Sequence, residues 1–171
     1  KMNEYCKKGG RYLKLHGPVA LAQKVAGKVK NKNKAAVIYQ KWLPKHLPSK
    51  AELEHQRKEH FSWEPTFSVV VPLYKTPEKY LQQLVDSIEA QTYGNWELCL
   101  SDGSGENSPI AELLKSLAAS DERIRVISHK EPLQISENTN AGIEIATGDY
   151  IAFADHDDEL TPHALFECVK A

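Results

Sequence analysis

From residue 67 onward, apolar and polar positions follow strand-like and helix-like patterns in turn. A β-branched and apolar run at residues 67–73 is typical of a strand buried on both faces, and residues 96–100 and 125–128 predict two further strands. A second apolar run, typical of a buried strand, begins at Tyr150. After the first run, apolar residues recur at helical spacing from Leu81 to Ile88. Strands that alternate with helices of this length predict right-handed βαβ units. We therefore predict a doubly wound α/β domain with a mainly parallel sheet and helices on both faces.

The first third of the chain has a different pattern. Residues 11–47 contain helical stretches whose apolar stripe is thin and whose gaps are filled by lysines. Ser49 and Glu52 have the spacing of a capping box, which predicts a short polar helix that reaches about His60. We predict a basic helical extension over residues 1–62 and the α/β domain over residues 63–171.

Charge is divided in the same way. Residues 1–60 hold 15 Lys/Arg and 4 Asp/Glu, whereas residues 61–171 hold 7 and 19. The basic part suits peripheral contact with an anionic membrane or a polyanionic acceptor, and the alternative is a lysine-rich connector solvated on its outer side. No run approaches the roughly 18 apolar residues of a spanning helix, and no secretory leader opens the chain. We expect a cytoplasmic protein, with any peripheral contact at the inner face of the cell membrane, and no nucleic-acid partner.

Polar residues with chemical potential follow the predicted strands. Tyr74, Asp102 and the acidic segment Asp155-His156-Asp157-Asp158 stand at carboxyl ends, where parallel sheets bind ligands. If the last strand continues as an extended segment, Asp155 and Asp157 point the same way. Carboxylate pairs of this kind suit Mg2+ or Mn2+, which share their coordination with phosphate oxygens. The sequence thus indicates a metal-bound diphosphate, and the alternative is a solvated acidic loop.

Three separated motifs carry a resemblance to a known family. Residues 66–171 resemble the nucleotide-binding half of the inverting family-two glycosyltransferases, which have the Rossmann-like GT-A fold. The most specific part is N-x-G-x-x-x-A-x-G-[DE]-Y-[IV] followed by D-x-D-D, here residues 140–158. The segment with Tyr39 and Trp42 is similar to the one preceding this domain in bacterial enzymes that build O-antigen, rhamnan and capsule chains.

The resemblance implies roles for particular residues. Pro72 and Tyr74 would line the base pocket, and Asp102 would accept the N3–H of uracil or thymine, which favours a UDP- or dTDP-sugar. Asn140 and Gly142 would bring their helix close to the ribose and phosphates. Asp155 and Asp157 would form the D-x-D pair, one near the ribose and one on the metal, with Asp158 as support. Read without the family, Tyr74 caps a strand, Asn140 is a helix-surface amide and Asp102 is the Asx residue of a turn.

The chain departs from the family pattern in two places. Family members often carry D-D-G-S where this chain has Ser101-Asp102-Gly103-Ser104, so one carboxylate is missing. The general base that an inverting transferase needs lies well beyond the D-x-D region in the family, so we expect it past Ala171. Glu159 and Glu167 are nearby carboxylates to which we assign no role.

The sequence therefore predicts the donor-binding domain of a metal-dependent, inverting glycosyltransferase, acting on a glycan or lipid-linked glycan acceptor. We expect the 171-residue chain to bind its donor but barely to catalyse. Two alternatives remain at this point. One is a sugar nucleotidyltransferase, for which the first strand lacks the following glycine-rich loop with Arg and Lys. The other is a non-catalytic sugar-nucleotide-binding module that docks on a membrane through its basic extension.

Overall fold

The computed structural model describes residues 36–171. The chain divides after Leu47, and Pro48–Ala171 forms a compact unit of its own. Before the division, residues 36–42 are helical and lead into a short 3-10 helix, Leu43–Lys45. The helical stretches predicted before residue 36 lie outside the described residues. Within residues 36–171, no helix combines the length and the apolar character needed to cross a bilayer.

The unit Pro48–Ala171 is a four-stranded parallel sheet with helices between the strands. Its strands are β1 (Phe67–Leu73), β2 (Trp96–Asp102), β3 (Ile124–Ser128) and β4 (Tyr150–Phe153). Its helices are α1 (Lys50–Gln56), α2 (Glu78–Glu89), α3 (Ala111–Ser120), α4 (Ile135–Glu144) and α5 (Ala164–Lys170). The strand order is β3-β2-β1-β4, and all three pairings are parallel. The predicted fold class, a mainly parallel α/β sheet flanked by helices, is confirmed.

The two central strands account for the clearest sequence patterns. Every residue of β2 is buried, and in β1 only Pro72 is partly exposed. Leu81, Leu84, Val85 and Ile88 of α2 are fully buried beside them, as their helical spacing predicts. The strand at Tyr150, which the apolar run predicts to be buried, is instead largely exposed. The reason is its place at the edge of the described sheet, where β1 is its single neighbour.

The two ends of α1 can each be compared with the prediction from sequence. The capping box at α1 is confirmed, since the Glu52 N–H donates to Ser49 Oγ and the Ser49 N–H donates to the Glu52 carboxylate. Arg57, which follows this helix, donates to the backbone carbonyls of Gln91 and Ala90 at 3.1 and 3.3 Å. Residues just before 62, assigned to the extension from sequence, therefore contact the end of α2.

A buried carboxylate fastens the amino ends of the strands. Glu97 of β2 accepts hydrogen bonds from Ser68 Oγ at 2.6 Å and from Thr147 Oγ1 at 2.9 Å, and Arg125 Nη1 lies 3.3 Å away. The N–H groups of Thr147 and Gly148 donate to the same carboxylate. Burial alone raises the pKa of Glu97, but these hydrogen bonds outweigh it and lower the pKa to about 2. Glu97 is therefore a charged residue that stabilises the amino ends of the strands, opposite the carboxyl ends where the ligand site is predicted.

Candidate functional site

A cleft of about 530 Å³ opens at the carboxyl ends of the strands. This volume falls within the range of small-molecule sites. The cleft draws its lining from the ends of β1 and β4 and from the start of α4, namely Pro72, Tyr74, Pro132, Leu133, Gln134, Ile135, Asn138, Asp155, His156 and Asp157. Four of the residues predicted to contact the donor or metal, Pro72, Tyr74, Asp155 and Asp157, are brought together here.

The segments after β1 and β2 are tied to one another beside the cleft. The Gly103 N–H donates to the Leu73 carbonyl at 3.0 Å, and the Lys75 N–H donates to Ser104 Oγ at 2.8 Å. Lys75 has φ of 48°, a left-handed conformation that costs a lysine about 1 kcal/mol relative to glycine. This bend at Lys75 follows Tyr74, whose ring remains half exposed in the cleft.

Asp102 ends β2 and is almost fully buried. Its Oδ1 accepts the Ser104 N–H at 3.0 Å, which is the Asx turn considered from the sequence. Its Oδ2 is also buried and has no hydrogen-bond partner among the described residues. A buried acceptor without a donor is rare in folded proteins, and such an atom often marks a place where a ligand or water binds. Asp102 is not in the lining of the cleft; it is adjacent to Leu73 in the sheet register.

The acidic segment is a turn, so the prediction of an extended segment is wrong. Strand β4 ends at Phe153, and the Asp158 N–H donates to the Asp155 carbonyl at 3.1 Å. The turn nevertheless places Asp155, His156 and Asp157 on the wall of the cleft, whereas Asp158 does not line it. The segment after β4 is not held extended by a second neighbouring strand, because β4 lies at the edge of the described sheet. The chain can therefore turn directly after the strand.

The helix α4 contacts the cleft through a residue that the sequence analysis did not select. Asn140 is exposed and does not line the cleft. Gly142 lies on the side of α4 that packs against β1, where an added Cβ would be 2.7 Å from Val70 Cγ1. Asn138 is buried, lines the cleft and bonds to both β1 and β2. Helical spacing could have identified Asn138 from sequence, because residue 138 lies on the same face of the helix as Ala141 and Gly142.

Two carboxylates of the acidic turn, Asp155 and Asp157, line the cleft and are the residues that could hold a metal ion. Within residues 36–171, no group of three or more His, Cys, Asp or Glu side chains is arranged to hold a metal ion, so the predicted trio with Asp158 is not assembled. Asp155 and Asp157 are both exposed in the cleft. Mg2+ and Mn2+ are commonly held by one or two carboxylates together with substrate phosphates. Among other nearby acids, Glu159 is exposed, 3.4 Å from Gln83 Nε2, and Glu167 lies on α5.

Comparison with known sequences gives consistent matches. The chain matches glycosyl transferase family 2 over residues 68–171. It is 44% identical over 106 residues to the uncharacterized protein y4gI of Sinorhizobium fredii, covering 62% of this chain and 12% of that protein. It is 29% identical over 133 residues to the O-antigen biosynthesis protein RfbC of Myxococcus xanthus, covering 78% and 10%. This chain therefore spans about a tenth of the length of these relatives.

Solved structures show the same fold. Staphylococcus aureus TarS 1-349 in complex with UDP-GlcNAc aligns with a TM-score of 0.55 and 21% identity, covering 61% of this chain and 30% of that one. The parallel sheet with its flanking helices is thus the Rossmann-like GT-A arrangement that the sequence motifs predict. The family match extends over more than half of the residues and includes every strand that borders the cleft. The chain belongs to glycosyl transferase family 2.

Proposed function

We propose that the cleft binds a UDP- or dTDP-sugar and that the protein transfers the sugar, with inversion and with the help of Mn2+ or Mg2+, to a bacterial surface glycan. The observation that carries this proposal is the convergence of Tyr74, Pro72 and the acidic turn on one cleft. A ring platform and two carboxylates match the two chemical ends of a nucleotide diphosphate, its base and its phosphates. The name of the Myxococcus xanthus relative supports a glycan or lipid-linked glycan acceptor.

Asp102 supports a pyrimidine donor. Uracil and thymine each present an N3–H, and Oδ2 of Asp102 is a buried acceptor without a donor. Pairing the two satisfies a polar atom that otherwise carries a desolvation penalty of about 1 to 3 kcal/mol. Because Oδ2 is closed to solvent and Asp102 does not line the cleft, we expect base binding to include a movement that uncovers this oxygen.

The acidic turn supports a metal-bound diphosphate. Asp155 and Asp157 would hold the ion, which when bound neutralises the charge that develops on the leaving nucleotide diphosphate. Both cleft carboxylates are then engaged with the donor. Among residues 36–171 the cleft has no further carboxylate to accept the proton of an acceptor hydroxyl. We therefore assign the role of general base to neither Asp155 nor Asp157.

Nucleotide binding tests the proposal by thermal denaturation. UDP or dTDP with Mn2+ should raise the melting temperature by several degrees, since ligand at a hundred times its Kd stabilises by about 2.7 kcal/mol. Asp157→Ala should remove the Mn2+-dependent part of the shift. Asp158→Ala is the matched control, because Asp158 belongs to the same turn but does not line the cleft. A chain whose melting temperature responds to no pyrimidine nucleotide would disprove the proposal.

We also propose peripheral contact with an anionic membrane through the extension. Residues 5–51 contain twelve Lys/Arg and no Asp/Glu. In residues 36–47, the Tyr39 and Trp42 rings are stacked with centroids 6.1 Å apart, and both are about half exposed. Lys41 and Lys45 lie in the same stretch. Exposed aromatic and aliphatic side chains among lysines suit the headgroup region of a bilayer.

Vesicle sedimentation tests this contact. The chain should sediment with vesicles containing phosphatidylserine and remain in solution with pure phosphatidylcholine or at high salt. Replacing both Tyr39 and Trp42 by Ala should weaken binding several-fold, because the apolar part of the contact is lost. Replacing the exposed Tyr80 of α2 instead should have no effect. Binding that is the same to neutral and anionic vesicles contradicts the electrostatic part of the proposal.

A further inference from the structure

One buried amide joins three elements at the wall of the cleft. Asn138 of α4 is 2% exposed. Its Nδ2 donates to the Leu73 carbonyl at the end of β1, at 2.8 Å. Its Oδ1 accepts from Ser101 Oγ near the end of β2, at 2.7 Å. The two atoms of a single side chain thus link the strand ends that precede Tyr74 and Asp102.

The fit around this amide is close. The Leu73 carbonyl accepts a second hydrogen bond from the Gly103 N–H at 3.0 Å, so the amide and the loop after β2 converge on one oxygen. A Cβ at Gly103 would lie 2.8 Å from Asn138 Cγ, a distance that real side chains do not tolerate. Gly103 therefore leaves the space that the amide fills, and the amide has little freedom to move.

The pattern of donors and acceptors requires an amide at this position. The Leu73 carbonyl takes its second donor from Asn138 Nδ2, and the Ser101 hydroxyl, which donates to Oδ1, also lies 3.3 Å from His129 Nε2. Aspartate would place a second acceptor against the Leu73 carbonyl. Leucine, of similar size, would leave the Leu73 carbonyl with the Gly103 N–H alone and the Ser101 hydroxyl with His129 Nε2 alone, so each partner of Asn138 would lose one buried hydrogen bond.

We propose that Asn138 is the positioning residue of the donor site. It holds the segments that carry Tyr74 and Asp102 at a fixed separation, so that the ring and the unpaired carboxylate oxygen meet the same base. This inference rests on the proposed function, because it assumes that both residues bind the donor. A binding site whose parts are displaced by about 1 Å loses much of its effect, so the loss of this joint weakens donor binding more than it weakens the fold.

Calorimetric titration of the full chain with UDP and Mn2+ tests the inference. Asn138→Leu and Asn138→Asp should each raise the Kd for UDP about tenfold or more, at a temperature where circular dichroism shows the variants to be folded. Ser101→Ala, which removes one of the two bonds, should raise it by a smaller factor. Glu97→Gln is the matched control, because it weakens the same two strands at their opposite ends. Its Kd should equal that of the wild type.

The outcomes separate positioning from simple stability. If Glu97→Gln loses as much affinity as the Asn138 variants, the effect is one of stability and the inference is overturned. Equal affinities of the wild type and Asn138→Asp also overturn it while the proposed function stands. If Asn138→Leu does not fold, Asn138→Asp and Ser101→Ala decide the matter. A wild-type chain that fails to bind UDP overturns the proposed function and this inference together.

Discussion

Asp102→Asn is expected to reduce the affinity for UDP at least about a hundredfold while the domain stays folded. The asparagine Oδ1 can still accept the Ser104 N–H, which Asp102 accepts at 3.0 Å. At the other position, however, an amide N–H replaces the unpaired acceptor Oδ2 and opposes the N3–H of uracil. Two donors facing one another cost the complex both a hydrogen bond and the solvation of two polar groups.

The same substitution should improve the affinity for CDP. Cytosine carries a lone pair at N3, so the new amide N–H of Asp102→Asn can donate to it. Titration of UDP and CDP into the wild type and the variant gives the four Kd values, which show how far the preference shifts from UDP to CDP. Asp158→Asn makes the same chemical change at an exposed carboxylate of the acidic turn, where no buried unpaired acceptor is lost, and should leave both affinities unchanged. A variant that binds UDP as tightly as the wild type would show that Asp102 does not contact the base.

Glu97→Gln should lower the free energy of unfolding at pH 7 by about 3 kcal/mol. The folded-state pKa of Glu97 is about 2, below the ordinary value of 4.5, because hydrogen bonds to the carboxylate outweigh its burial. Because the folded-state pKa is lowered, the ionised Glu97 carboxylate stabilises the folded protein above pH 4.5, and this contribution is lost as the pH falls from 4.5 through 2. The shift from 4.5 to about 2 corresponds to about 3 kcal/mol at 1.36 kcal/mol per pKa unit.

Urea denaturation at two pH values measures this effect. The difference between wild type and Glu97→Gln should be largest near pH 7 and should shrink at pH 2.5, where the wild-type carboxylate begins to take up its proton. Glu112→Gln, which breaks an exposed pair with Lys115, should change stability by less than about 1 kcal/mol. A difference for Glu97→Gln that is the same at both pH values would show that its charge is not what stabilises the fold.

The sequence predicted the central strands well because their pattern depends on burial alone. Strands β1 and β2 are enclosed on both faces, so the middle of each is apolar and the polar residues stand near the strand ends, namely Ser68, Glu97, Ser101 and Asp102. The segments that follow the two strands are thereby placed at the carboxyl ends of the sheet. Strand β4 has an equally apolar sequence but a different environment. Its pattern does not record whether a neighbouring strand covers its outer edge, and the prediction of burial failed for that reason.

Within the site, the residues found from sequence are those whose positions follow from strand ends. Tyr74 and Asp157 lie near the ends of β1 and β4 and line the cleft, as expected. Asn138 and Asn140 differ by two positions on a helix, so only one of them can face the sheet. The family motif pointed to Asn140, whereas the buried position belongs to Asn138, which takes part in bonds to two strands that lie far apart in the sequence.

The strand order has a consequence for how the site comes into being during folding. Strand β1 pairs with β2 about thirty positions away, but Phe67 of β1 pairs with Tyr150 of β4, which follows it by 83 residues. Contacts between such distant segments form late, because the loss of chain entropy on closing a long loop comes before the gain from pairing. The β1 side of the cleft, which is supported by the pairing of β1 with β2, can therefore form before the acidic turn arrives. Competence to bind a metal-bound diphosphate is expected to be among the last properties acquired by the folding chain.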